Sequence, residues 1–304
     1  MTDPAITIDA VSKRYGPQVA LGGVSLSVAA GETLALLGHN GAGKTTLIKL
    51  ILGLTRPQSG AIAVLGEAPG SEAMRAQCAY LPENVVFHKS LTGREQLTLF
   101  SRLKGGPAWR IADHLDRVGL AAAMDRRIGT YSKGMRQRLG LAQMLIGEPR
   151  VVILDEPTNG LDPLSRDMFY GMVSDLAATG AAVLLSSHAL TELEARTDRI
   201  VILREGRVAA NGRLSQLRAG ARLPIRVRVE AEAAMASEVA RRFGGTRING
   251  RSVELTCQAD EKVRRIGEVT ALGPAVEDID IVPPSLEDVY RHYSRPAAVQ
   301  EDER

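Results

Sequence analysis

The chain has 304 residues, 44% of them hydrophobic and 24% charged, an ordinary globular composition with length enough for one large or two smaller cores. Its formal net charge is +3, with Lys and Arg interleaved among Asp and Glu, so no basic tract points to nucleic acid. The two cysteines, Cys78 and Cys257, lie far apart without a CxxC partner, which gives no disulfide framework and no cysteine metal site and leaves buried free thiols as the expectation.

No apolar run reaches the roughly 18 residues of a membrane span. The opening "MTDPAITIDAVSKRYG" lacks the basic-then-apolar plan of a signal peptide. The expectation is a chain that begins and stays on the cytoplasmic side, so that service to a membrane process requires another polypeptide to cross the bilayer.

Residues 5 to 37 read as short strands with turns, among them "AITID" and the buried strand "TLALLG". From Thr45 to Leu54, Leu47, Ile48, Leu50, Ile51 and Leu54 recur at helical spacing. Residues 71 to 145 read as mostly helical, with polar breaks at "YLPENV" and "KGGP". "VVILD" returns as a continuous apolar strand, followed by a helix near 163 to 178 and a second buried strand, "AAVLLSSH". Alternating buried strands and helices imply a mixed α/β core. The texture changes near residue 220, which divides the chain into a domain over 1–220 and a module over 221–304. "IRVRVE" alternates like a half-exposed strand, an Ala-rich helix runs to about 243, and Asn249-Gly250 sits between two strand-like runs as a hairpin signal. A helix near 260 to 271 and "EDIDIV" complete a βαββαβ order, that of a small ferredoxin-like α+β module. Ser285 and Asp288 form a capping-box pattern ahead of a last helix, "LEDVYRHY", and the tail "AAVQEDER" reads as disordered.

The chemistry concentrates in "LLGHNGAGKTTLIKLILGL", residues 36 to 54. Gly38-x-x-x-x-Gly43-Lys44-Thr45 between a strand and a helix is the phosphate-binding P-loop pattern. Backbone N–H groups of residues 39 to 45, with the helix N-terminus behind them, suit a β-phosphate. Lys44 suits the β- and γ-oxygens and the Thr45 hydroxyl suits Mg²⁺. A glycine-rich turn without a ligand is the plainer alternative. "VVILDEP" supplies the second half, because its strand delivers Asp155 to a carboxyl end, where Asp155 can hold Mg²⁺ through water and Glu156 can orient or deprotonate an attacking water. The plainer alternative is that both acids cap the strand before Pro157.

"YSKGMRQRLGLAQ", residues 131 to 143, resembles the signature segment of ABC cassettes, which usually begins Leu-Ser-Gly-Gly-Gln. Tyr131, Lys133 and Met135 depart from that form. The resemblance implies an ABC cassette: a RecA-like core plus helical subdomain that uses ATP and Mg²⁺. It gives Ser132 and Gly134 to a γ-phosphate. Through "NGLD", Asp162 resembles the D-loop acid, and His188 in "SSH" resembles the switch histidine. Tyr15 in "KRYG" looks like the aromatic that stacks on adenine, although a surface tyrosine reads equally well from that residue alone. Gly38, His39, Asn40, Gly41, Ala42, Gly43, Lys44, Thr45 and Thr46 form the nucleotide cradle by the same resemblance. Glu83 in "YLPENV" stands where the family usually has glutamine, and as a carboxylate it joins Thr45 and Asp155 as a metal-side residue.

Since the signature segment in this family faces the nucleotide of a second cassette, one P-loop and one signature imply a head-to-tail ATP-sandwich dimer of two copies. "NVVFHKSLTGREQL", residues 84 to 97, is the expected docking surface for a polytopic membrane permease, with an ordinary amphipathic helical subdomain as the other reading. Over nearly the whole chain, "GHNGAGKTT", "YLPENV", "TYSKGMRQRLGLAQ" and "PSLEDVYRHY" resemble the NosF family, ATPases of NosDFY transporters that serve copper-site maturation of nitrous oxide reductase. That resemblance implies a peripheral place on the cytoplasmic face of the inner membrane, a NosY-like permease and a NosD-like periplasmic partner beyond it. Single-cassette ATPases of drug, sodium or polysaccharide exporters, several also ending in "PSLE", compete with it. Soluble ABC ATPases of translation or repair differ in carrying paired cassettes or long coiled-coil insertions, and a small-molecule P-loop kinase would lack the signature and switch histidine.

Overall fold

The computed structural model describes residues 4–104 and 110–295. The expectations at Gly105–Pro107 and for "AAVQEDER" lie outside them. The chain forms two compact units, Met1–Asn211 and Gly212–Arg304.

In the first unit, β1 (Ile6–Tyr15) and β2 (Gln18–Val28) form an antiparallel hairpin in which Ile6 faces Val28 and Tyr15 faces Gln18. The fully buried β3 (Thr33–Leu37) feeds the glycine loop and α1 (Lys44–Ile51). The helix stops short of the Leu54 expected from periodicity, which is 68% exposed. The stop is steric: Gly53 has φ +72°, and a Cβ there would meet the Gly70 nitrogen at 2.5 Å. β4 (Ser59–Val64) runs antiparallel to β1 and completes a three-stranded sheet, β2-β1-β4.

The stretch read as mostly helical contains α2 (Glu72–Gln77), then a strand, β5 (Cys78–Leu81), then α3 (Gly93–Leu103), α4 (Ile111–Arg117) and α5 (Lys133–Met144). Residues 84 to 91 are irregular, and α3 begins only at the Thr92–Glu95 capping box. There follow β6 (Val151–Asp155), α6 (Pro163–Ala178), β7 (Ala182–Ser186), the single turn α7 (Leu190–Leu193), β8 (Arg199–Arg204) and β9 (Arg207–Gly212). They build a six-stranded sheet in the order β5-β6-β7-β3-β8-β9, parallel from β5 through β8. Helix α6 has the span read from the sequence, with Asp162 as N-cap and Pro163 in the first turn, where its missing N–H needs no acceptor. Ile6, Leu21, Leu34, Leu47, Ile51, Ile153, Leu184 and Val201 join both sheets and α1 in one core. Each such side chain contributes about 1.5–3 kcal/mol by burial.

The second unit comprises α8 (Leu214–Ala221), β10 (Ile225–Ala231), α9 (Ala233–Phe243), β11 (Thr246–Arg247), β12 (Ser252–Cys257), α10 (Lys262–Thr270), β13 (Val276–Val282) and α11 (Leu286–Ser294). Its antiparallel sheet has the order β11-β12-β10-β13, and with α9 and α10 this is the βαββαβ arrangement read from the sequence. The division falls at Asn211/Gly212 instead of 220/221 because α8 packs with α11 within this unit, where the Tyr293 hydroxyl donates to the Leu217 carbonyl at 3.3 Å. The Asn249-Gly250 turn works through its asparagine: Asn249 Oδ1 accepts from the N–H groups of Arg251 and Ser252, both at 2.8 Å. Val227 and Val229 bury one face of β10 against Ala236 and Val239 of α9 and Val269 of α10, and Ala231 on the same face is buried. The opposite face carries Arg228 between Glu254 and Asp280, and Glu230 beside Asp278, so it presents charge instead of an apolar surface.

Candidate functional site

Three adjacent parallel strands end together at one edge of the six-stranded sheet. Across them Leu36 of β3 lies beside Ser186 of β7, and Ser186 lies beside Asp155 of β6. The carboxyl edge of such a sheet is where α/β proteins bind ligands, and each of these strands delivers a group read from the sequence.

The loop after β3 is shaped by what cannot fit in it. A Cβ on Gly38 would meet the Leu203 carbonyl oxygen at 2.7 Å and the Ala42 Cβ at 2.8 Å. Gly43, at φ +107°, would set one 2.7 Å from the Ala20 carbonyl oxygen of β2. Gly41, at φ +85°, has open space in front of it. Gly43 is the N-cap of α1 and no side chain caps that end. Among the described residues, none accepts from the N–H groups of Gly41, Gly43, Lys44 or Thr45, so donors and helix dipole face the same opening. His39 and Asn40 are exposed on the loop, with His39 Nδ1 2.8 Å from the Asn40 carbonyl oxygen, and Ala42 is buried beneath it. Thr45 is exposed and Thr46 half-buried on the first turn.

Lys44 is buried, and its Nζ donates to the Gly38 carbonyl. Burial holds its pKa below the ordinary lysine value, opposed by Glu156 and Asp155. Glu156 is buried too, and burial raises its carboxyl, with His188 and Lys44 pulling the other way. Its backbone sits in the left-handed region at φ +49°, a conformation worth about 1–3 kcal/mol of strain in a non-glycine residue. Two bonds fasten it there, from the Glu156 N–H to the Ser186 carbonyl at 3.2 Å and to Ser186 Oγ at 3.1 Å. Ser186 Oγ in turn donates to Asp155 Oδ1 at 2.6 Å. The His188 N–H donates to Glu156 Oε2 at 3.1 Å, and His188 Nε2 lies 3.1 Å from Oε1, which is buried and accepts no hydrogen bond. A buried carboxylate with one oxygen free of hydrogen bonds, an uncapped helix end and a buried lysine together fit a polyphosphate and a water beside it. Thr45 and Asp155 fit a Mg²⁺ that takes one or two protein ligands and fills the rest from phosphate and water.

The remaining sequence candidates divide. Tyr15 ends β1 at the hairpin whose second strand backs the glycine loop; it is 48% exposed, with Lys13 Nζ 5.3 Å from its ring centre. Glu83, two residues beyond β5, is exposed and accepts from Asn159 Nδ2 at 3.4 Å. Ser132 caps α5, accepting from the Met135 N–H at 3.2 Å, and Gly134 lies on the same turn near Gly160. Among the described residues, no hydrogen bond or ion pair joins Ser132 or Gly134 to residues 38–46. Asp162 is spent on its own helix: Oδ1 accepts from the Ser165 N–H and Oδ2 from the Ser165 hydroxyl, which hold its pKa below the usual carboxylate value. Asp162 therefore stands at the head of α6 as its N-cap, at the end of the "NGLD" turn. The departure at Tyr131 has a structural reason, since its ring is buried and its hydroxyl donates to the Ala123 carbonyl at 2.7 Å.

Sequence reasoning missed two groups. Ser186 fixes both acids at the edge of β6, and its only signal was the Ser-Ser before His188. Gln137 is buried on α5 and donates through Nε2 to the Pro157 carbonyl at 2.8 Å, tying the signature helix to the loop after Glu156. Among the described residues there is no cluster of three His, Cys, Asp or Glu suited to a metal, and no helix long and apolar enough to cross a membrane.

Residues 21–159 match the ABC transporter family. An uncharacterized ABC transporter ATP-binding protein of Nostoc is 45% identical over 205 residues, 66% of this chain and 61% of that protein. Daunorubicin resistance ATP-binding protein DrrA3 of Streptomyces coeruleorubidus is 38% identical over 304 residues, 96% of each chain. Nod factor export ATP-binding protein I of Burkholderia orbicola is 39% identical over 208 residues, 66% of this chain and 68% of its own length. A solved ATP-binding subunit of an ABC transporter superposes with a TM-score of 0.67 at 36% identity, covering 71% of this chain and 92% of that one.

Proposed function

From the premise that this chain belongs to the ABC transporter ATP-binding proteins and is an ATP-hydrolysing enzyme, we propose that Lys44, Glu156 and His188 form its hydrolytic centre. The observation that carries this reading is the buried Glu156 carboxylate, held by the His188 N–H and with its other oxygen accepting no hydrogen bond, 3.1 Å from His188 Nε2. The N–H groups of residues 39 to 45 and Lys44 grip the β- and γ-phosphates. Thr45, Asp155 and Glu83 stand on the metal side, where Mg²⁺ neutralises charge on the phosphates. Glu156 takes the proton of the attacking water, His188 steadies the γ-phosphate and Tyr15 stacks on adenine. Ser132 and Gly134, away from their own glycine loop, serve the nucleotide of a second copy in a head-to-tail dimer.

We infer further that the chain works peripherally at the cytoplasmic face of a membrane, on a polytopic permease that meets residues 84 to 97. There Val86 is 88% exposed. The finer role we propose is NosF-like, energising copper-site assembly of nitrous oxide reductase with NosY-like and NosD-like partners. Its support is the joint presence of "GHNGAGKTT", "YLPENV" and "PSLEDVYRHY", the last realised as the Ser285–Asp288 capping box and α11. A second reading, export of a drug or similar compound, draws on the daunorubicin resistance of DrrA3 and the Nod factor export of the Burkholderia protein. In a host that makes nitrous oxide reductase, deleting this chain is expected to leave that enzyme exported but short of copper, as measured by metal analysis of the purified reductase. A fully metallated reductase, with sensitivity to drugs instead, would reject the NosF-like role.

For the second unit we propose an accessory, dimer-holding role. Its open sheet face is charged, so the association it supports should weaken with salt. A chain ending at Asn211 is expected to bind ATP but to lose nucleotide-independent self-association in sedimentation runs. Loss of ATP binding in that truncated chain would show the boundary to be misplaced.

A further inference from the structure

Two segments leave the Glu156–His188 contact in different directions. One is the turn through residue 161, in which the Asn159 N–H reaches the Glu156 carbonyl at 3.4 Å and the Leu161 N–H reaches the Thr158 carbonyl at 3.1 Å. The other runs from His188 into α7, with the Leu190 N–H on the His188 carbonyl at 3.0 Å and the Glu192 N–H on the Ala189 carbonyl at 3.1 Å. The guanidinium of Arg166, on the first turns of α6, joins them again. Its Nε donates to the Leu161 carbonyl at 3.0 Å and its Nη1 to Glu192 Oε1 at 2.6 Å. The result is a closed ring: Glu156, the turn to Leu161, Arg166, Glu192, α7, His188 and back to Glu156. Leu161 is buried, and the Glu192 and Arg166 side chains are 23% and 39% exposed, so the pair is partly shielded from solvent at its carboxylate end.

We propose that Arg166 is a positioning residue for hydrolysis, fixing the distance between Glu156 and His188 by clamping the two segments that carry them. Its own hydrogen bonds go to the Leu161 carbonyl and Glu192. The inference rests on the reading of Glu156 as the base. The molecule contains its own control: Arg196 Nη2 and Asp167 Oδ1 pair at 2.7 Å, again tying α6 to the stretch after α7, but without reaching the Leu161 carbonyl or Glu192.

The test measures ATP turnover and melting temperature of the full-length chain in Arg166→Ala, Glu192→Gln, their double variant, Arg166→Lys, Asp167→Asn and Glu156→Gln. Arg166→Ala and Glu192→Gln are expected to lower kcat by about ten- to hundredfold, the scale of a misplacement of up to about 1 Å, with KM for ATP changed by less than about twofold. The double variant should be no slower than the worse single one, because both break one ring. Lysine has a single head in place of a fork, so Arg166→Lys should recover only part of kcat. Asp167→Asn should keep kcat within about twofold of wild type even where its melting temperature falls as far. Additive losses in the double variant, a fall in kcat that tracks melting temperature across all variants including Asp167→Asn, or wild-type kcat in Arg166→Ala beside an inactive Glu156→Gln would each overturn the proposal. Wild-type turnover in Glu156→Gln would instead remove the base on which it rests.

Discussion

Replacing Glu156 by glutamine is expected to lower kcat for ATP by about 10²–10⁴-fold, the contribution of a positioned general base, while leaving ATP affinity intact or tighter. Glutamine has the shape to keep accepting from the His188 N–H, so the fold around it should hold. ATP that cannot be cleaved should then accumulate a two-copy species on size exclusion in Mg²⁺. The same residue sets the pH response. Burial raises its carboxyl above the usual range, against the pull of His188 and Lys44. A base works only when ionised, so wild-type kcat should fall as pH drops through that raised value, and residual turnover in Glu156→Gln should lack this acidic limb. Phosphate release measured across pH checks both statements, and equal rates in the two proteins would sink the assignment.

Lys44→Ala is expected to fail one step earlier. Removing a charge-assisted contact worth about 1.5–3 kcal/mol should weaken ATP binding by about ten- to a hundredfold, read by fluorescence titration with an ATP analogue. A second effect compounds it. The Lys44 charge opposes the burial-driven rise of Glu156, so without it the carboxyl climbs further and the acidic limb of any remaining activity moves to higher pH. Unchanged affinity in Lys44→Ala would remove the glycine loop from the nucleotide site.

The features legible in the sequence were those written in neighbouring residues. The glycine loop is legible from its spacing, α6 from the helical run near 163 to 178, and the second unit from the alternation in "IRVRVE" and the Ser285–Asp288 box. The features missed depend on residues brought together by the sheet. β5 has only the four residues Cys78–Leu81, too few for a period, and exists because Cys78 to Leu81 pair in parallel with Val151 to Leu154. Leu54 fits the helical period, yet the backbone approach of Gly53 to Gly70 ends α1 before it. Ser186 and Arg166 act through partners 31 and 26 residues away. Nothing in either local pattern marks the partner.

The left-handed backbone of Glu156 bears on the tolerance of this protein to heat. At one position the chain holds a non-glycine residue at φ +49° and buries a carboxylate with an oxygen that accepts no hydrogen bond, two penalties that a glycine there would relieve together. Selection for thermal endurance alone would therefore push this residue out, and selection for turnover keeps it. Stabilising the protein without disabling it has to be done elsewhere in the fold, because here durability and activity are opposed in a single side chain.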